Sequence, residues 1–216
     1  MEIKDFKQLD DFYLDVLKEV GNIGAGNAAT ALAKLMGKKI VMDVPDIKII
    51  EFKEVNEMFD NAERPVVGVL VKVAGDLPSY VMLIMEYETA KLILNVLLGI
   101  SPDSEKAADS KNNTDELTDL ELSAIMEVGN ILTGSYLSAL SELTGLNAQP
   151  SVPAIAIDMV GAILSVPAIE LGKICDTVLY IESRFSEGST NIKTDFILIP
   201  TPESYQILMK TLGVGN

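Results

Sequence analysis

The sequence predicts an α+β fold made by tandem duplication with pseudo-twofold symmetry, its long helices packed on a mostly antiparallel β-sheet. Three observations predict it. Shifting the chain by 108 residues lays LDDFYLDVLKEVGNIGAGNAATALAKLMG (9–37) over LTDLELSAIMEVGNILTGSYLSALSELTG (117–145), with 13 of 29 positions identical. Both stretches carry helical periodicity and stop at a glycine, Gly37 and Gly145. Short apolar runs then follow in each half, divided by turn signals such as Gly75-Asp76, a pattern of hairpins and hence of antiparallel pairing.

Each element has its own justification. Asp10 and Thr118 are equivalent N-cap candidates, and Thr118–Glu121 has capping-box spacing. Leu9 and Leu117 stand where a hydrophobic staple would reach Leu14 and Leu122. A long helix follows in each copy, with glycines that could interrupt it. Strands are expected at 39–44, 46–52, 66–74 and 79–85, then a helix at about 87–98. The second half should give strands at 154–158, 173–182 and 194–199 and a helix at about 202–212. There YVMLIMEYETAKLILNVL (80–97) matches DFILIPTPESYQILMKTL (195–212) at a shift of 115, so the second half is about seven residues longer. The polar segment SPDSEKAADSKNNT (101–114) reads as a linker. The chain is therefore one domain, 1–216, with repeat 1 at about 9–100 and repeat 2 at about 115–216.

Composition excludes several functions. The chain has 216 residues, 48% of them apolar, enough for a substantial core. Lys+Arg 17 against Asp+Glu 32 gives a net charge of −15, which repels phosphate backbones and anionic lipids. There is no His, so Ser–His–Asp and Cys–His catalysis and the commonest zinc ligand are absent. The single Cys175 can form no internal disulfide. The acidic N-terminus MEIKDFKQLDDF is unlike a signal peptide, and the longest charge-free window, 143–157, is too short and too interrupted to span a bilayer. A cytoplasmic protein is expected.

At about 100° per residue, Asp15, Glu19 and Asn22 share one helix face, extended by Gly26, Thr30 and Ala33, with Ala29 at its margin. Tyr13, Leu17, Val20, Ala28 and Ala31 lie opposite, where the core should be. The second copy repeats the stripe as Ser123, Glu127, Asn130, Gly134, Ser138 and Ser141. A face bearing acids is ordinarily just solvated. Here Glu and Asn recur at one spacing while solvent-facing neighbours diverge (Lys18/Met126, Lys34/Glu142). Asn is also a poor helix-interior residue, and each glycine costs about 1 kcal/mol relative to Ala. Gly21, Gly24, Gly26, Gly129 and Gly134 thus imply either a partner admitted close to the backbone or tight packing inside the core.

The segments AspValLeuLysGluValGlyAsn (15–22) with Pro45, and SerAlaIleMetGluValGlyAsn (123–130) with Pro153, fit Asp/Ser-x3-Glu-x2-Asn-x22-Pro. In this the chain resembles the CheC/CheX/FliY family of bacterial and archaeal chemotaxis phosphatases, over nearly its whole length and in two registered copies. The resemblance implies dephosphorylation of the response regulator CheY, which carries its phosphate on an aspartate. By that analogy Glu19 and Glu127 pair with a lysine of the regulator, and Asn22 and Asn130 enter its active site and orient the attacking water. Asp15 and Ser123 assist docking, and Gly26 and Gly134 belong to the platform on which the partner sits. No cofactor is implied for this chain, the Mg²⁺ being expected in the regulator. The family further suggests the receptor-modifying deamidase CheD as a partner, at Ser138–Gly145. The alternative is a non-catalytic adaptor that docks a regulator or CheD.

Overall fold

A computed structural model describes residues 11–59, 61–99, 117–171, 177–188 and 190–212, apart from the side chains of 11–14, 168, 170, 171 and 190. The expected linker 101–114, the N-cap Asp10, the staple residue Leu9 and Cys175 lie outside the described residues, as do the side chains of Tyr13 and Leu14.

Residues Asp11–Met36 form α1 without interruption despite three internal glycines. Then come β1 (Val41–Met42), β2 (Asp46–Glu51), a 3₁₀ helix (Phe52–Met58), the hairpin β3 (Pro65–Gly75) and β4 (Ser79–Glu86), and α2 (Tyr87–Leu97). The second half repeats the order with α3 (Asp119–Thr144), β5 (Ala148–Pro150), β6 (Ala154–Met159), α4 (Val160–Leu171), β7 (Thr177–Glu187), β8 (Thr190–Pro200) and α5 (Pro202–Thr211). The capping box is present: Glu121 N–H donates to Thr118 Oγ1 at 3.3 Å, and Thr118 N–H donates to Glu121 Oε2 at 2.8 Å. Gly145 ends α3 in the left-handed region, at φ 72°, where a side chain would be strained.

Two strand expectations need correction. The strand expected at 39–44 is reduced to Val41–Met42, because Pro45 separates it from β2. The strand expected at 173–182 is described from Thr177 and runs on to Glu187. Helix α4 has no counterpart in the expected elements. Its sequence, VGAILSVPAIEL, is apolar nearly all round and contains Pro167, so no 3.6-residue period marks it.

The eight strands form one antiparallel sheet in the order β1-β7-β8-β4-β3-β5, with β2 also on β7 and β6 also on β3. The halves exchange their edge strands. β2 of the first half pairs with β7 of the second (Ile47 opposite Ile181), and β6 of the second pairs with β3 of the first (Ile155 opposite Val69). β4 and β8 join the halves at the centre, with Leu83 opposite Phe196. Neither half could complete its sheet alone.

Strand alternation divides the sheet's side chains between two cores. Val67, Val69, Val71, Leu83, Ile181, Phe196 and Leu198 face the layer of α1, α2, α3 and α5. Val66, Met82, Ile84, Tyr180 and Ile197 face the 3₁₀ helix and α4. On this second side Gly68 leaves room for Ile163 of α4: a Cβ there would lie 2.6 Å from the isoleucine methyl Cγ2. On the same side Tyr180 donates a hydrogen bond to the buried Asp195 at 2.5 Å. Burial raises the Asp195 carboxyl above the usual carboxylate range.

Candidate functional site

The two Glu/Asn stripes lie on α1 and α3, which pack against each other on one face of the sheet. Leu17, Val20 and Ala28 of α1 are buried and Ala31 is half-buried, so the expected core face is the real one wherever its side chains are described. The opposite face presents Asp15, Glu19 and Asn22 to solvent, with Gly26 half-buried. On α3, Ser123, Glu127 and Asn130 are exposed and Gly134 is half-buried. Further along, Thr30 and Ser138 are exposed and Ala33 and Ser141 half-buried, while the marginal Ala29 belongs to the core. Glu and Asn stand three residues apart, so their Cα atoms are separated along the axis by about 4.5 Å and both side chains can reach one partner.

Local hydrogen bonds engage the outer members and leave the inner ones unengaged. Asp15 Oδ1 lies 3.0 Å from Lys18 Nζ, and Ser123 Oγ donates to the Asp119 carbonyl at 2.8 Å. Thr30 Oγ1 donates to the Gly26 carbonyl at 3.0 Å. Among the described residues, the side chains of Glu19, Asn22, Glu127 and Asn130 have no hydrogen-bond or ion-pair partner. Each asparagine therefore offers a carbonyl acceptor and an NH₂ donor, and each glutamate a full carboxylate, to whatever approaches. Among the described residues no three Cys, Asp or Glu side chains converge as metal ligands, and no helix is long and apolar enough to cross a membrane.

The glycines divide between the two explanations open to them. Gly21 and Gly129 lie against the sheet, where a Cβ would fall 2.2 Å from Ile47 Cδ1 and 2.9 Å from Val69 Cγ1. Gly24 sits at the helix–helix contact, where a Cβ would fall 2.4 Å from Tyr136 Cδ1 and 3.0 Å from its Cα. Gly26 and Gly134 differ: a Cβ on either meets nothing within 4 Å. Internal packing accounts for three glycines and leaves two, in register, beside the asparagines.

Sequence reasoning missed the flank of the first stripe. Lys39 and Ile40, just past the helix, join Ala29, Thr30, Ala33 and Lys34 around an open hollow at its C-terminal end. The usable signal was the Lys34/Glu142 divergence, which separates two otherwise matched stripes.

Comparison with known proteins agrees with the tandem repeat. The CheC-like family matches residues 12–49 and 120–157, two segments that the 108-residue shift superposes. The CheY-P phosphatase CheC of Bacillus subtilis is 34% identical over 212 residues, covering 97% of this chain and 98% of that one. The flagellar motor switch phosphatase FliY of the same organism is 25% identical over 156 residues, covering 72% of this chain and 38% of that protein. Among solved structures, Thermotoga maritima FliY superposes with a TM-score of 0.69 at 24% identity, covering 94% of this chain and 99% of that one, a likeness of fold. Two registered copies of the motif, on the fold that such proteins share, and a full-length relative at this identity place the chain in the CheC-like family.

Proposed function

We propose that this chain is a phosphatase that removes the aspartyl phosphate of a CheY-type response regulator, using one Glu/Asn site on each long helix. The observation that carries the proposal is the pair of unengaged Glu–Asn sets, Glu19/Asn22 and Glu127/Asn130, each beside an open glycine. The name of the Bacillus subtilis relative supports the choice of substrate.

The chemistry suits these residue types. An aspartyl phosphate is an activated electrophile, and the regulator's own Mg²⁺ neutralises charge on the phosphoryl oxygens. What a second protein can add is an in-line water, and transfer of this kind depends mainly on positioning and electrostatics. A carboxamide cannot remove a proton as a base, but its oxygen accepts a water hydrogen and its NH₂ donates elsewhere. Asn22 and Asn130 take that role. Glu19 and Glu127 hold a lysine of the regulator, Asp15 and Ser123 assist docking, and Gly26 and Gly134 let the partner's surface come close enough for the amide to insert. A receptor-modifying deamidase of the CheD type is the second partner in this reading, at Ser138–Gly145, where Ser138 and Glu142 are exposed. The cytoplasm is the compartment that goes with both partners.

The test is to mix the protein with Mg²⁺ and phosphorylated regulator and follow phosphate loss, which should outrun the spontaneous rate. An adaptor would leave that rate unchanged. In the same assay Glu19→Ala and Glu127→Ala should raise KM by the equivalent of about 1–2 kcal/mol, near the lower range for a hydrogen bond to a charged group, with a smaller change in kcat. Salt should raise KM too, since a chain of net charge −15 is steered toward a basic patch. Equal KM at low and high ionic strength would mean that apolar contacts govern docking and that the two glutamates have little part in it.

A further inference from the structure

The two stripes are matched where they meet the reacting group and opposed in charge where they end. At positions 15 and 18 the first copy carries the Asp15–Lys18 ion pair and at the matching positions the second carries Ser123 and Met126, so these positions add no net charge in either copy. At the C-terminal end the first copy has the hollow lined by Thr30, Ala33, Lys34 and Lys39. Shifted by 108 residues, Lys34 becomes Glu142 and Lys39 becomes Asn147. Lys34, Lys39 and Glu142 have no ion-pair partner among the described residues, whereas the neighbouring Lys38 is engaged by Glu187 at 3.3 Å. Helix energetics do not explain Glu142. An acid in the last turn of a helix faces the negative end of the macrodipole and is unfavourable there, whereas Lys34 in the last turn of α1 is favourable.

Distance places these charges at the rim of a docked partner. At 1.5 Å per residue, Thr30 is about 12 Å and Lys34 about 18 Å along the helix from Asn22. A standard interface of roughly 800 Å² per partner has a radius of about 16 Å. Rim charges of this kind act on encounter and on partner choice and leave the central chemistry alone.

We infer that the two sites read the surface charge of the response regulator with opposite sign. The first site favours a regulator that brings a carboxylate into the Lys34/Lys39 hollow, and the second disfavours that same regulator through Glu142. The duplication would then supply two specificities on one catalytic plan. This inference rests on the phosphatase reading, and its test keeps the two apart. Asn130→Ala leaves only the first site able to turn over, and Asn22→Ala only the second; because the silenced site still binds, Glu127→Arg or Glu19→Arg is added to it, reversing its docking charge, so that affinity too is read at one site. The probe is the CheY-type regulator of the protein's own organism, phosphorylated for KM and loaded with beryllofluoride and Mg²⁺ for affinity.

Lys34→Glu/Lys39→Glu in the first-site protein should raise KM and weaken affinity about three- to tenfold, with kcat unchanged, and Lys34→Gln should fall between. Glu142→Lys in the second-site protein should lower KM by a similar factor. Both shifts should fade in high salt, which a merely structural role for these side chains would not produce. Unchanged values, shifts in the same direction at both sites, or shifts of reversed sign would overturn the inference while leaving the phosphatase reading standing. Affinities that shift as described in a protein without hydrolysis would overturn the phosphatase reading and leave the charge reading in place.

Discussion

Replacing both asparagines, Asn22→Ala with Asn130→Ala, should bring dephosphorylation of the regulator close to its spontaneous rate while the protein still folds and binds. Folding should survive because both side chains are exposed and bond to no described residue; Ala is also the better helix former, so stability should rise slightly. Binding should survive because Glu19, Glu127 and the open surface at Gly26 and Gly134 are untouched. What disappears is a preorganised group that orients water, typically worth about 2.7–4 kcal/mol of barrier, or roughly 10² to 10³ in rate. Either single change should leave partial activity, and the two residual rates would rank the sites. Asn→Asp is a useful companion: it keeps the shape and the acceptor but loses the NH₂ donor and adds negative charge beside a phosphoryl group, so it should not rescue. Wild-type turnover by the double alanine variant would overturn the mechanism.

Why so much of this site was legible in the sequence has a physical reason. Capping, helix periodicity and turn signals are local, so α1, α3 and the β3–β4 hairpin could be read from Thr118–Glu121, Gly145 and Gly75-Asp76. The Glu–Asn spacing fixed a common helix face, and the 108-residue repeat supplied a second sample of it. What could not be read depends on non-local partners. The exchange of β2 and β6 between halves requires Ile47 to meet Ile181 and Ile155 to meet Val69, pairings that no local pattern marks. Helix α4 was hidden because a segment apolar on all sides has no period. The glycines were ambiguous for the same reason: the space around Gly24 is set by Tyr136, a residue 112 positions away on another helix. The repeat also hides a compensation there. Shifted by 108 residues, Gly24 corresponds to Leu132 and Tyr136 to Ala28, large and small exchanged between the copies.

That division of the glycines makes a sharp contrast between two substitutions only two residues apart. Gly26→Ala should stabilise the protein by about 0.8–1 kcal/mol, the helix-propensity difference, because the new methyl meets nothing within 4 Å. Gly24→Ala gains the same propensity but drives a methyl to 2.4 Å from Tyr136 Cδ1 and 3.0 Å from its Cα. The backbone atom cannot rotate aside. The ring is held as well, packed at a 37° tilt with its centroid 4.4 Å from that of Phe196 and hydrogen-bonded through its hydroxyl to Ser183, in a site whose burial raises the phenol pKa to about 12. Overpacking of this kind costs about 1–3 kcal/mol, and since the propensity gain is common to both, the two variants should differ by roughly 1–3 kcal/mol in denaturant midpoints converted to free energy. Function should sort them in the opposite sense. Gly26→Ala, the more stable protein, places a methyl on the surface where the regulator must come close and should raise KM at the first site; Gly134→Ala should do the same at the second. Gly24→Ala, the less stable protein, alters nothing on the exposed face and should keep its KM wherever it remains folded. If Gly26→Ala stabilises the chain and leaves KM untouched at a site isolated by Asn130→Ala, close approach at that glycine is not part of docking, and the open glycines need another explanation.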